Sequence, residues 1–406
     1  MRSRLWCVVF ALSCGSASVS AQTVLTEADA LARLSSESPR VRAIRSAIDL
    51  ARAEALGAGR WPNPRVSIDR ESVAGIRETM TMVAQTLPIT GRRGFEKSAA
   101  SSLVDAATSR TDDEVRRARA DLRLAFADLA AAQTRERALV RARDRLQGLA
   151  DVLARRESAG EAAGFDRLRS EREVLDWEAD RVAAAGDRVR AQAALAAFFA
   201  APVDPASLVA ADVGATGGAD LPSFDALIGR AETARGELIA LRHEIDSAQF
   251  ALRAAGRRAI PEPEVTAGTK SSTVLGGDVG SVFSVQAVIP LFDRGHPERA
   301  LAEARAGRAE AQLDALRLRV RAEVGALRAA VVERRAAADR YRAAAASSAE
   351  VERIAEISYE AGERGILELL DAYRSASTAQ LRQTALDIAA RQAEIELEYV
   401  SGWEIP

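Results

Sequence analysis

The sequence predicts a mostly α-helical chain with a small β part, in which one unit of helix, β-hairpin, very long helix, turn and helix occurs twice. Three observations predict it. The first is duplication. Gly160 follows Pro88 by 72 positions, Gly362 follows Pro290 by the same 72, and the two frames are displaced by 202. Within them Leu87-Pro88-Ile89 answers Ile289-Pro290-Leu291, and Ala159-Gly160-Glu161 answers Ala361-Gly362-Glu363. Upstream, Asp29-Ala30-Leu31 answers Asp225-Ala226-Leu227, and Trp61-Pro62-Asn63-Pro64 answers Ile260-Pro261-Glu262-Pro263, at displacements of 196 and 199. A unit of this length is too long for a solenoid repeat and reads as one structural half, duplicated and fused. The second observation is composition. Aromatic residues are 4 % and charged residues 28 % of the chain, and with helical periodicity that mixture points to long helices packed as coiled coil. The third is punctuation: the hydrophobic period switches at matched places in both copies, each marked by Pro or Gly.

The elements follow in order. Residues 1–21 read as an export signal, with Arg2 and Arg4 before a short apolar run and Val19-Ser20-Ala21 as the cleavage site. Cys14 as a lipid-attachment residue is the alternative. Both cysteines, Cys7 and Cys14, lie in this segment, so the processed chain is expected to carry no disulfide. The first repeat covers 22–201. Thr26 caps a helix expected to run to about 59, with Glu27 and Asp29 favourable in its first turn. Pro62 and Pro64 stop it. Strands at about 64–74 and 78–88 alternate with period two around Gly75, a hairpin. A long helix at about 92–157 carries Val115, Ala118, Leu122, Ala125, Leu129 and Ala132 as a heptad seam. A tip turn at about 158–165, broken at Gly160 and Gly164, leads to a last helix ending before Pro202. Residues 202–222, rich in Gly, Ala, Asp and Pro, read as a linker.

The second repeat covers 223–406. It has a helix at about 223–257, strands at about 264–274 and 280–290 turned by Gly276-Gly277, a long helix at about 294–359, a tip turn at about 360–367 broken at Gly362 and Gly365, and a final helix. Each long helix would extend roughly 100 Å at 1.5 Å per residue, so it needs an equally long partner for its seam. The two shorter helices of each half, stacked end to end, supply that length. Four strands cannot close around a lumen, and an open sheet exposes two edges. Strands near 10 residues suit a tilted outer-membrane span. Several copies could therefore pool strands into one closed barrel, or the hairpins form a small soluble cap on a coiled coil.

Charge and side-chain chemistry exclude several classes. The formal net charge is −2 from 56 basic and 58 acidic residues, a balance that does not suit a nucleic-acid partner. No apolar run long enough for a transmembrane helix follows the signal. His243 and His296 stand far apart in different elements, and no Cys or His cluster offers a tight metal site. There is no nucleophile elbow, phosphate loop or isolated carboxylate pair, so neither catalysis nor a cofactor is expected.

The duplicated order resembles the TolC family of outer-membrane efflux ducts over residues 25–403. Arg60-Trp61-Pro62-Asn63-Pro64, Thr90-Gly91-Arg92-Arg93-Gly94, Ile260-Pro261-Glu262-Pro263 and Ile289-Pro290-Leu291-Phe292-Asp293-Arg294-Gly295 are similar to its CzcC-type, heavy-metal branch. The resemblance implies a homotrimer in outer-membrane lipid, with twelve strands in one barrel, a long periplasmic α-helical barrel, a periplasmic adaptor and an inner-membrane RND pump. It implies that Pro88 and Pro290 mark barrel-to-helix junctions and that the tip turns at Gly160, Gly164, Gly362 and Gly365 dock the adaptor. Tyr359 and Arg364 match positions that latch the closed tip, and Asp166 matches the tyrosine's latch partner. Phe165 departs from the small polar residue usual beside it. Glu368 and Asp371 match acidic rings at the inner constriction. By spacing alone these two share one helical face, which an ordinary solvated face also explains, and Tyr359 reads equally as a packing residue. A duct for drugs or secreted protein, a periplasmic adaptor and a soluble coiled-coil scaffold are the other readings.

Overall fold

A computed structural model describes residues 23–160, 164–212 and 220–404. The expected export signal, residues 161–163 of the first tip turn and residues 213–219 of the linker fall outside these. The chain is mostly helical with a small β part. The first half runs β1 (Thr23–Leu25), α1 (Glu27–Arg33), α2 (Pro39–Ala55), β2 (Arg65–Val73), β3 (Ile76–Thr86), α3 (Arg92–Ser158) and α4 (Gly164–Ala196). After β4 (Leu208–Ala210) the second half runs α5 (Phe224–Ala234), α6 (Gly236–Gly256), β5 (Pro263–Ser272), β6 (Asp278–Ala287), α7 (His296–Glu360) and α8 (Ile366–Ser401).

Local chemistry sets the boundaries. Thr26 makes a full capping box: its hydroxyl accepts from the Asp29 N–H at 3.1 Å, and the Asp29 carboxylate accepts from the Thr26 N–H at 3.1 Å. The helix expected from 26 to 59 is two helices. Pro39 sits at the first position of α2 with Ser38 held at ψ 133° before it, because proline has no N–H for the ladder and pushes its predecessor out of the α region. The equivalent helix of the second half breaks at Arg235, where the buried Asp113 carboxylate accepts from the Gly236 N–H at 3.2 Å. Gly236 lies so close to α3 that a Cβ there would meet the Ser109 carbonyl at 2.0 Å. Residues 202–222 are more than a linker. Their strand β4 pairs in parallel with β1, Val24 opposite Val209.

Packing follows length. Helix α3 lies against α2 and α4 on one side and against α6 and α8 on the other, and α7 lies against α6 and α8. The shorter helices thus stack in pairs beside the two long ones, in the lateral order α2/α4, α3, α6/α8, α7. Among the described residues the buried side chains form three clusters rather than one core. One gathers Leu122, Phe126, Leu129 and Leu195 with the β1–β4 pair, one gathers Leu227, Leu238, Val324 and Leu397, and one lies near the tip.

Both hairpins join in one antiparallel sheet of order β2-β3-β5-β6. Val73 pairs with Ile76 around Ala74 (φ 51°) and Gly75 (φ 85°), a two-residue turn whose positive φ values suit the strand twist. Register places Val66, Ile68, Val83, Val265, Phe283 and Val285 on one face. The other face is charged, with Arg65–Glu264 at 2.8 Å and Lys270–Glu78 at 2.7 Å. Among the described residues the outer edges of β2 and β6 pair with no further strand.

Candidate functional site: the helical tip and its junction with the sheet

Two places concentrate features that the body of the helices lacks: the tip turns and the sheet-to-helix junctions. The long helices end on the same device. Gly160 (φ 78°) and Gly362 (φ 73°) are left-handed residues directly after the helix ends, a conformation open to glycine at little cost. The Gly362 N–H donates to the Tyr359 carbonyl at 3.0 Å and the Glu363 N–H to the Ser358 carbonyl at 2.9 Å, closing the helix end. Gly164 and Gly365 serve differently from the expected helix breakers. Gly164 opens α4, where a Cβ would meet the Glu157 carboxylate at 2.5 Å, and Gly365 is the extended cap of α8 at φ −84°.

Below these turns the four helices share a core. Leu146, Leu153 and Trp177 of the first half pack with Ala355, Ile366, Leu369 and Tyr373 of the second, and Tyr359 packs against this cluster. The Arg156 guanidinium lies 5.8 Å from the Tyr359 ring centre, so both tips meet at this tyrosine. Asp166 occupies the first turn of α4, where its carbonyl accepts from the Ser170 hydroxyl at 3.0 Å. Among the described residues of the single chain no hydrogen bond joins Tyr359 to Asp166. Arg364 is exposed on the second turn. Glu368 and Asp371 stand on the exposed face of α8, opposite Leu369, Leu370 and Tyr373, and neither has an ion-pair partner among the described residues.

A tyrosine–carboxylate contact that the sequence reading missed lies one layer deeper. The Tyr373 hydroxyl donates to Glu356 Oε1 at 3.2 Å while Arg145 sits 5.3 Å from its ring centre. Burial first, and then the Glu356 charge, push the Tyr373 phenol up to about 12, so it stays protonated as a donor. Its position on the buried face with Ile366 and Leu369 was readable from helical spacing; its carboxylate partner on another helix was not.

The junctions also share one geometry. Pro88 and Pro290 each sit at the centre of a tight turn, with the Ile89 N–H donating to the Leu87 carbonyl and the Leu291 N–H to the Ile289 carbonyl, both at 2.9 Å. Gly91 and Gly295 then cap α3 and α7 in left-handed conformation. The first junction is tied down. The Leu87 N–H donates to the Pro263 carbonyl at 2.8 Å, the Thr90 hydroxyl donates to Glu262 Oε1 at 2.9 Å, and Arg92 reaches the same carboxylate at 3.3 Å. The second rests on α6 through the buried Gly295, against the Ala255 carbonyl, and leaves Ile289, Leu291 and Phe292 exposed.

Between tip and sheet a chain of ion pairs links both halves. Arg335 holds the fully buried Glu394 at 2.5 Å, Arg391 bridges Glu394 (3.5 Å) and Glu27 (3.0 Å), and Arg123 joins Glu27 (2.5 Å) to Glu398. Burial opposes the charge on Glu27, but Arg391 and Arg123 outweigh it and hold its carboxyl below the ordinary value.

A long paired-helix body carrying one open four-stranded sheet is a fold shared with solved outer-membrane channels. Residues 227–402 match the family model described as Outer membrane efflux protein. No curated protein matches the chain. Among solved structures it is similar to a membrane protein from Pseudomonas aeruginosa, at TM-score 0.78 and 20 % identity over 93 % of this chain and 92 % of that one. The outer membrane protein VceC of Vibrio cholerae superposes at TM-score 0.76 and 17 % identity, over 93 % of this chain and 96 % of that one. The open state of the Neisseria gonorrhoeae MtrE outer membrane channel does so at 0.74 and 16 %, over 93 % and 88 %. At such identities the likeness is one of fold. Among the described residues no helix is long and apolar enough to cross a membrane, and no group of three His, Cys, Asp or Glu side chains could hold a metal ion.

Proposed function

We propose that this chain is the exit duct of a tripartite RND efflux system, set in the outer membrane of a Gram-negative bacterium and extending into the periplasm. Three copies pool their sheets into one twelve-stranded barrel, and their helices continue it as a tunnel. The observation that carries this reading is the sheet. It has four strands of 9 to 11 residues, an exposed apolar face, a charged opposite face and two unpaired edges. Strands of this length suit a tilted crossing of the hydrocarbon layer, and a lipid-facing apolar side with a polar lumen is how a membrane barrel divides its faces. The match of residues 227–402 to the efflux family and the channel fold of the relatives support the same reading.

The duct is passive: an inner-membrane pump supplies the energy, and a periplasmic adaptor docks at the turns around Gly160 and Gly362. Tyr359, Arg364 and Asp166 hold the tip closed in the assembled trimer. Glu368 and Asp371, exposed and without ion-pair partners among the described residues, line the inner constriction, where carboxylates repeated by symmetry attract cations. The cargo is heavy-metal cations, a reading that rests on the resemblance to the CzcC-type branch.

The test has two parts. Mass measurement in detergent of protein extracted from the outer membrane should give three copies, and a monomer partitioning with soluble periplasmic protein would end the duct reading. Deleting the gene should then sensitise cells to zinc, cobalt or cadmium more than to organic drugs. The opposite order would keep the duct and replace its cargo with drugs.

A further inference from the structure

Helix α6 lies between α3 and α7, and a cavity of about 450 Å³ is lined by all three. Its floor is α6, with Ser247, Ala248 and Ala251. Leu103 and Arg110 of α3 form one wall, and Arg305, Arg308 and Gln312 of α7 form the other. A cavity of this size suits a small organic molecule. Its charge is positive. Arg110 donates to the Glu244 carboxylate, so that carboxylate is already neutralised within the cavity. Arg305 and Arg308 are exposed and have no ion-pair partner among the described residues. Two guanidiniums are therefore uncompensated, in a chain whose formal net charge is −2.

We infer that this cavity binds a soluble organic phosphate, its phosphate group held by Arg305 and Arg308 beside the Ser247 hydroxyl and its organic body laid against Leu103 and Ala251. A phosphate monoester carries about −1.5 to −2 charges at neutral pH, which matches two guanidiniums. The planar fork of each guanidinium fits two phosphate oxygens at once. Leu103 is 49 % exposed and supplies apolar surface at the opposite wall.

Two further observations carry it. The first is the floor. Ser247 is 7 % exposed, lines the cavity, and makes no hydrogen bond among the described residues. A buried hydroxyl without a partner is costly, and a phosphate oxygen would accept from it. The second is the duplication. Leu103 and Ala106 of α3 are the counterparts of Arg305 and Arg308, displaced by 202. The long helix of the first half packs along its length without the two charges, so the shared scaffold does not require them. Position then decides the source of the phosphate. Arg305 and Arg308 stand 9 and 12 residues along α7 from His296, roughly 14–18 Å from the sheet junction at 1.5 Å per residue. On the duct reading that is past the headgroup layer, which adds roughly 5–8 Å on each side of the hydrocarbon, so the ligand is soluble and not a lipid. Only that step rests on the duct reading, because one chain forms the whole cavity.

Calorimetric titration of the detergent-purified full chain with phenyl phosphate tests the site, at physiological ionic strength so that weak surface attraction is screened. Phenyl phosphate should bind saturably at one site per chain, about tenfold tighter than inorganic phosphate because its ring covers apolar surface. Benzyl alcohol, which lacks the charge, should not saturate. Arg305→Gln with Arg308→Gln should weaken phenyl phosphate by about tenfold or more, and Ser247→Ala by about three- to tenfold. Arg42→Gln with Arg45→Gln, an equal loss of charge at exposed positions of α2, should leave it unchanged. Absence of saturable binding, or equal weakening by the α2 pair, would overturn the site. Inorganic phosphate binding as tightly as phenyl phosphate would overturn the organic body, and tighter binding of a short-chain phosphatidic acid would overturn the soluble source. Binding is counted per chain, so a monomer in detergent would end the duct reading without touching this one.

Discussion

The two halves place the same pair of repeat positions face to face and fill them with opposite chemistry. In the first half Gln133 and Gln192 are buried neutral amides. Gln133 Oε1 accepts from the Ala210 N–H at 3.2 Å, and Gln192 Nε2 donates to the Leu208 carbonyl at 2.8 Å, so both hold strand β4. At the same positions 202 residues later stand Arg335 and Glu394, an ion pair at 2.5 Å. The flanking helices differ as sharply. Among the described residues α2 buries Val41 alone, while its counterpart α6 buries Leu238, Ala240, Leu241 and others. Helix α4 leaves its apolar stripe exposed, while α8 buries most of its apolar residues. The inner flank of the chain is finished by charges and close packing. The outer flank carries apolar residues that nothing among the described residues covers. Duplication supplied one backbone, and position within the chain decided which copy could afford charge.

That contrast can be broken by substitution. The largest effect should come from Glu394→Ala. It leaves the partly buried Arg391 and Arg335 guanidiniums without this fully buried carboxylate, a change that costs up to about 3–5 kcal/mol when one partner of a buried pair is removed. Gln192→Ala removes a neutral amide that donates to Leu208 and accepts from Arg188, and should cost about 1–3 kcal/mol. Thermal unfolding of the helical part, followed by circular dichroism in detergent, reads both, and equal losses would erase the distinction between the halves. Next is the junction. Glu262→Ala removes the acceptor of Thr90 and Arg92 and should cost about 1.5–3 kcal/mol, whereas Asn63→Ala at the counterpart position should leave the unfolding of the isolated chain within about 0.5 kcal/mol. A loss of the same size at Asn63 would mean that its surroundings are already complete within one chain.

The tips sharpen the comparison further. Tyr359 belongs to the second turn and Asp166 to the first, so a latch between them would join unlike halves. Tyr359→Phe with Asp166→Ala should raise resting conductance in planar bilayers. Conductance equal to that of the unsubstituted protein would leave Tyr359 as a packing residue under Arg156. The smallest effect should be that of Glu368→Ala with Asp371→Ala, which should lower the cation preference of single channels without changing assembly. Unchanged reversal potentials in a salt gradient would return both residues to a solvated face.

What the sequence made legible was local. Thr26 with Asp29 three residues on is a cap that needs no tertiary partner. Gly160 and Gly362 were readable because the left-handed residue after a helix strongly favours glycine. Gly75 and the Gly276-Gly277 pair were readable as turns for the same reason. The break at Pro39 was available to the same logic and was passed over, since the apolar pattern continues through it. The remaining features depend on distant partners. Arg235 bends the chain because Asp113 of another helix waits there, and β1 exists because β4 lies beside it. The ion chain from Arg335 to Glu398 joins four helices and has no signature in any one of them. The stripe of α4 was written plainly at every seventh residue, but a stripe does not say which helix it faces.

The pairing of Thr23–Leu25 with Leu208–Ala210 sets a timetable. Thr23 meets Leu208, which follows it by 185 positions, so β1 has no edge to join until the entire first repeat has been delivered. Bringing such distant segments together carries a loop-closure cost and slows folding. Once closed, however, the tie needs nothing from α5 to α8. The first repeat can therefore fasten its own ends while the second is still arriving, and it presents the later helices with a finished surface to assemble on.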